Sequence, residues 1–254
     1  MKFFKDTLRK IVVIVAIGAI VFSSYQLYLI YQDGRKSELV DEEINEIIGK
    51  DDEEDISFMT TDAFNKLKNI NEDVVGYLYY PSLDIEEVIV RGNDNTYYLD
   101  RSIYKDYMIY GTVFMSYDQT DASQNKTLYG HWIQNSVKKF SNLHKLKDPA
   151  NYDKYKTFEY ADENYTYEYE VAYVIYHETY EDDNNVPYWQ GDFTDSEFET
   201  FVNNANHQAM YDTGVAINRD DNLLSLQTCI TYDSEERLVI IAREVSRQPI
   251  SEAK

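Results

Sequence analysis

The feature that most restricts this chain is an apolar run near its amino terminus. It is unbroken from Ile11 to Phe22 and, after Ser23 and Ser24, resumes through Tyr25, Leu27, Tyr28, Leu29, Ile30 and Tyr31. About 20 such residues cross a bilayer as a helix, so residues 11–31 are expected to form a transmembrane anchor. Any folded domain must then be built from residues beyond Tyr31. Lys2, Lys5, Arg9 and Lys10 precede the run, and basic flanks hold that end of a span in the cytoplasm. The expected arrangement is a single-pass plasma-membrane protein with a cytoplasmic basic end (1–10) and an extracellular remainder. A signal peptide cut near Val21 or Ser23 is the alternative. Continuation of the apolar pattern past the serines favours the anchor.

The 254 residues carry a formal charge of −22 while the amino-terminal end is basic, so the part beyond the anchor is strongly acidic. Such a domain repels nucleic acid, and that partner class is set aside. Hydrophobic residues at 43% suffice for a core, and 25 Tyr against 9 Gly and 4 Pro favour half-buried pleated surfaces over disordered tracts.

Residues 32–57 read as an acidic linker or stalk. In it Asp41, Glu42, Glu43 and Glu46 alternate with Leu39, Val40, Ile44, Ile47 and Ile48 at the spacing of an amphipathic helix. The domain proper is placed at 58–254, opening with a helix over Thr60 to Ile70 that aligns Phe64 and Leu67. The period then changes to that of strands, at Val75 to Pro81, Ile85 to Val90, Val113 to Tyr117 and Thr127 to Tyr129. Asn135 to Lys147 is expected to be helical, and Thr166 to His177 is the longest alternating strand. Between Phe193 and Tyr211 lies the clearest helix. There Thr194 and Glu197 have capping-box spacing, Phe193 and Phe198 can form a staple, and Phe198, Phe201, Val202, Ala205 and Met210 share a face. Leu223 to Cys229 and Arg237 to Val245 are the last strands. The sum is mainly β, a barrel or sandwich with helical insertions.

Cys229 is the only cysteine, so it is a buried bystander, an intermolecular link or a reactive thiol. A reactive thiol needs a base or cation beside it. Of His131, His144, His177 and His207, none comes after Cys229. His131 stands at the end of a short strand where a loop begins, a common place for catalytic groups. His207 falls on the polar side of the late helix, His144 in a Lys-rich surface segment, and His177 reads as a surface residue ending a strand. Arg237 starts the strand after Cys229. If the two strands pair, its guanidinium can hold an oxyanion and favour a thiolate; otherwise it is an ordinary strand-start arginine facing Asp233 or Glu235.

Several short segments, in order, carry a resemblance. Ser225-Leu226-Gln227-Thr228-Cys229, with an arginine opening the next strand, resembles the sortase signature Thr-Leu-x-Thr-Cys, and Tyr129-Gly130-His131 resembles the sortase histidine motif. Asp73-Val74-Val75-Gly76-Tyr77, the run Gly92 to Leu99 and Gly111-Thr112-Val113-Phe114-Met115 are similar to class B sortase segments, and the helix before the cysteine strand matches the one class B enzymes insert. The resemblance covers roughly Phe58 to Val245 and departs at Ser225, where threonine is usual, and at Gln227, where serine is frequent.

This resemblance implies a closed eight-stranded sortase β-barrel with amino-terminal helices, and a cysteine transpeptidase needing no cofactor and no metal. Cys229 would attack the threonine carbonyl of an LPxTG- or NPQTN-like sorting signal, Arg237 would hold the oxyanion, and His131 would move the proton. A cell-wall peptide amine would resolve the thioacyl enzyme. By the same analogy Asn95, Tyr98, Leu99, Tyr129, Gln227 and Thr228 would contact the peptide. The segment Glu178 to Trp189, with Tyr180, Val186, Tyr188 and Trp189, would cover the groove. Cysteine endopeptidase activity and an inactive surface-binding barrel are the alternatives.

Overall fold

The computed structural model describes residues 2–49, 59–134, 136–177, 185–229 and 236–251. A single helix, α1 (Lys2–Ile48), joins the apolar run to the amphipathic stretch without a break. It is the one helix among the described residues long and apolar enough to cross a membrane, and its apolar side chains from Ile11 to Tyr31 are exposed. The lower part is different. Val40 is buried, and Ile44, Ile47 and Ile48 pack on the domain, while Leu39 stays exposed.

Eight strands close a barrel: β1 (Val74–Tyr80), β2 (Ile85–Val90), β3 (Phe114–Met115), β4 (Asn125–Tyr129), β5 (Thr157–Ala161), β6 (Tyr165–His177), β7 (Leu223–Cys229) and β8 (Arg237–Pro249). Around the barrel they run β1-β2-β3-β4-β7-β8-β6-β5. All pairs are antiparallel except β2 with β3 and β4 with β7. Alternation sorts the side chains. Leu224 and Leu226 of β7, Leu238 and Ile240 of β8, and Val174 of β6 fill the barrel. Tyr173, Ile175, Leu223, Val239 and Ile241 face outward, beneath a helix.

That helix is α4 (Asp195–Gln208), between β6 and β7. Thr194 Oγ1 accepts from the Glu197 amide while Glu197 accepts from the Thr194 amide at 2.7 Å, a complete capping box. Phe193 meets Phe198 with ring centroids 6.0 Å apart, and Phe198, Phe201 and Ala205 are buried. Met210 lies past the helix end and is exposed, so it is not on the packed face expected of it. On the opposite side, α2 (Thr61–Ile70) buries Phe64 and Leu67 against Tyr77 and Val88.

Three local departures stand out. Only Phe114 and Met115 of the expected Val113–Tyr117 strand are laddered. The helix or helical loop expected over 135–147 takes the form of a 3-10 helix confined to Ser141–Lys147. A short helix, α3 (Tyr152–Tyr155), and β5 come after it where no element was expected.

Candidate active site

Four adjacent strands bring the chemistry-bearing residues to one end of the barrel. Cys229, the last residue of β7, lies directly opposite Arg237, the first of β8. Arg237 lies in turn opposite His177, the last of β6. On the other side, β4 pairs in parallel with β7, Tyr129 opposite Gln227. The Gly130 amide extends that ladder by donating to the Gln227 carbonyl at 3.1 Å, so two residues beyond the Tyr129–Gln227 pair His131 comes level with Cys229 at the end of β7. The row therefore reads His131, Cys229, Arg237, His177. The Arg237 guanidinium donates to the Glu236 carbonyl at 3.1 Å. The connection 230–235, with Asp233 and Glu235, lies outside the described residues.

His131 is held from two directions. Its Nε2 lies 2.7 Å from the Leu99 carbonyl oxygen. A carbonyl only accepts, so Nε2 carries a proton there and Nδ1 is the atom left to take up or give one. The Leu99 carbonyl is itself placed by a turn: Asp94 Oδ1 accepts from the Thr96 amide at 2.7 Å and the Tyr97 amide at 2.8 Å, opening the 3-10 helix Tyr97–Asp100. The Thr96 hydroxyl, which donates to the same oxygen at 2.7 Å, and then these amides hold the Asp94 carboxyl below its ordinary range. Gly111, at φ +56°, packs under this turn, where an added Cβ would lie 2.4 Å from the Tyr98 carbonyl and 2.5 Å from that of Leu99.

After His131 the chain loops back on itself. The Phe140 amide donates to the His131 carbonyl at 3.1 Å, the Ile133 amide donates to Ser141 Oγ at 2.9 Å, and the Phe140 ring occupies the space a Cβ on Gly130 would need. Lys139 takes a left-handed conformation, φ +54°. Its ammonium reaches Glu87 Oε2 on β2 at 2.8 Å, and its amide reaches Oε1 at 3.2 Å, both side chains being buried. The neighbouring Lys138 bonds Asp41 of α1 at 2.8 Å.

The residues expected to contact peptide divide into two sets. Leu99 is exposed and Asn95, Tyr129 and Gln227 are partly exposed beside the row. Asn95 also ties the loop down, donating to Ser116 Oγ at 3.2 Å and accepting from the Tyr117 amide at 3.0 Å. Tyr98 is a correction: it is 1% exposed, its hydroxyl donates to Asp73 at 2.6 Å and accepts from Asn71 at 2.8 Å, and its ring belongs to the core under α2. It anchors the turn that carries Leu99 and does not face a groove. Thr228 is likewise fully buried, because alternation turns it away from the face shared by Leu223 and Val239.

His177 is a correction of the opposite kind, at 3% exposure, where a surface residue was expected. The rings of Tyr188 and Trp189 cover it. Residues 178–184, Tyr180 among them, lie outside the described residues. Beyond them Val186 and Tyr188 are buried and Trp189 is 44% exposed. Backbone contacts pin this segment to β4. Asn125 donates to the carbonyls of Tyr188 at 2.7 Å and Gln190 at 2.9 Å, Thr127 donates to Tyr188 at 2.7 Å, and Gln119 donates to Trp189 at 2.9 Å. Ser225 Oγ donates to Asn125 Oδ1 at 2.9 Å. The signature hydroxyl thus acts through Asn125 on the segment carrying Tyr188 and Trp189, a role the spacing of residues does not reveal.

Comparison with known proteins places this geometry in context. The model of the sortase domain matches residues 78–245. Sortase B of Listeria monocytogenes is 24% identical over 249 residues, covering 96% of this chain and 99% of that protein. The crystal structure of sortase B from B. anthracis in complex with AAEK1 superposes with a TM-score of 0.72 at 25% identity, over 85% of this chain and 99% of that one. A Staphylococcus aureus sortase B–substrate complex shares the fold, with a TM-score of 0.71 at 21% identity over 85% of this chain and 97% of that one.

Proposed function

The chain belongs to the sortase family and is most like its class B members, and from that premise we propose that it is a membrane-held transpeptidase that cleaves a carboxyl-terminal sorting signal through a thioacyl enzyme. The observation that carries the proposal is the cross-strand row of His131, Cys229 and Arg237. The Cys229 thiol passes its proton to His131, and the resulting thiolate attacks the threonine carbonyl carbon of an LPxTG- or NPQTN-like peptide, the carbonyl electrons moving onto oxygen. The Arg237 guanidinium donates to that oxyanion. Collapse breaks the C–N bond, and His131 gives its proton to the departing amine. With Nε2 engaged by Leu99, Nδ1 is the atom that carries this proton. The thioacyl carbon then takes an incoming cell-wall peptide amine, whose proton returns to His131, and the thiolate leaves. Splitting acyl transfer into two steps is what a covalent nucleophile supplies.

The long apolar helix supports a single-pass anchor, with the basic end in the cytoplasm and the barrel outside. Asn95, Leu99, Tyr129 and Gln227 are the peptide contacts we favour, while Tyr188 is buried against His177 and supports the wall behind them; Gln227 sits beside Tyr129 at the end of the parallel pair.

The test uses the full chain in detergent with a sorting peptide, with and without a cell-wall peptide amine. A product whose mass includes the amine, absent with Cys229→Ala, is the expected result. A product mass indifferent to the amine would mean hydrolysis, and cleavage by Cys229→Ala would sink the nucleophile. Arg237→Lys is expected to lower kcat/KM by about 100-fold or more, since lysine lacks the planar fork; near-normal turnover would exclude the oxyanion role.

A further inference from the structure

His177 is a buried titratable side chain at the end of the row that this chemistry leaves unused. It lies opposite Arg237 in the β6–β8 ladder. The two share the outward face, since Ile175 and Val239 next along each strand face outward while Tyr176 and Leu238 pack on the barrel interior. His177 Nδ1 is buried without a hydrogen-bond partner among the described residues. The ring has little freedom to find one. Tyr188 and Trp189 meet it edge-on, with centroids 5.1 and 5.9 Å away, and the backbone of both is pinned by Asn125, Thr127 and Gln119. A buried polar atom left unsatisfied is costly, and one beside a catalytic row calls for a specific role. Burial first, and then the Arg237 charge, hold the imidazole below its ordinary pKa, so the ring is neutral at physiological pH and offers a lone pair. The neighbour across the ladder is a pure donor.

We propose that His177 is a positioning residue for Arg237: its Nδ1 accepts one guanidinium N–H when Arg237 turns toward the acyl oxygen of bound peptide, which fixes the direction of the remaining donors. The inference rests on the oxyanion role assigned to Arg237 above.

Two measurements on the full chain in detergent test it. In the first, histidine ring nitrogens are titrated by NMR; His occurs at 4 positions, so His177→Phe identifies the signal. The midpoint is expected to lie below the ordinary histidine value and to rise in Arg237→Leu. No change in Arg237→Leu overturns the pairing, whatever the activity. In the second, peptide cleavage by His177→Phe, which keeps the aromatic contacts, is expected to lose about tenfold in kcat with little change in KM or melting temperature. His177→Asn, whose carboxamide oxygen can stand where Nδ1 does, should recover most of the loss. The defect should largely vanish in an Arg237→Lys background. A wild-type kcat for His177→Phe, or a defect that persists undiminished with Arg237→Lys, refutes the proposal. Failure of the wild type to cleave any sorting peptide would count against the transpeptidase reading, and the titration would still decide whether His177 and Arg237 are coupled.

Discussion

Two residues with no chemistry of their own govern how well the site is aimed. Gly111 has a backbone conformation that disfavours a side chain, and its missing Cβ makes room for the Tyr98 and Leu99 carbonyls. Gly111→Ala must strain the backbone and push the Leu99 carbonyl off His131 Nε2. A loss of about 1–3 kcal/mol in stability is expected, with a fall in kcat that the stability loss alone does not explain; denaturant unfolding and peptide turnover measured side by side check this. Ser225 works at one remove. Ser225→Ala leaves Asn125 Oδ1 without its buried donor, at about 1–3 kcal/mol. Ser225→Thr, restoring the hydroxyl usual in the family, should unfold close to wild type. If Ser225→Ala melts like wild type, the Asn125 relay is not what holds the groove wall.

At the scale of elements, the loop from His131 to Phe140 depends on one buried ion pair. Removing one partner of such a pair typically costs about 3–5 kcal/mol, whereas replacing both with apolar groups is far milder. Lys139→Met is therefore expected to destabilise strongly and slow turnover, and Lys139→Met with Glu87→Met to recover most of the stability. A double-mutant cycle by chemical denaturation measures the coupling, and additive effects would remove the pair as the loop's clamp. These contacts also mark where sequence was informative. The hairpin of β7 and β8 joins neighbouring runs, so Cys229 opposite Arg237 was legible from adjacency. The α4 cap was legible from Thr194 and Glu197 alone. The β4–β7 pairing that brings His131 alongside is parallel and spans about half the domain, and no local pattern encodes it. β3 is shorter than its apolar run because only Phe114 and Met115 find ladder partners, on the neighbouring strands β2 and β4. β5 could have been found, since Asp162 Oδ1 caps a tight turn by accepting from the Asn164 amide at 2.8 Å and the Tyr165 amide at 2.9 Å. His177 was misjudged because its cover comes from a segment past the strand end.

For the whole molecule, the decisive feature is that α1 is one helix. Lys138 to Asp41, Lys36 to Asp106 at 2.7 Å and Lys36 to the Tyr107 carbonyl at 2.6 Å fasten its lower half to the barrel. Inserting Gly-Gly-Ser after Asp33 should leave peptide cleavage in detergent intact. In liposomes the same insertion should broaden the distribution of distances between a dye on the barrel and the lipid surface; an unchanged distribution would show that the helix does not set that distance. From Gln32 to Ile48 the helix runs about 25 Å at ~1.5 Å per residue, with the barrel clamped alongside it. In the proposed membrane arrangement, a barrel clamped to a helix that continues into the bilayer explores a thin slab above the surface instead of a hemisphere. Its encounter with any chain held in the same membrane becomes a lateral search in two dimensions, where height and tilt are already decided before the two meet.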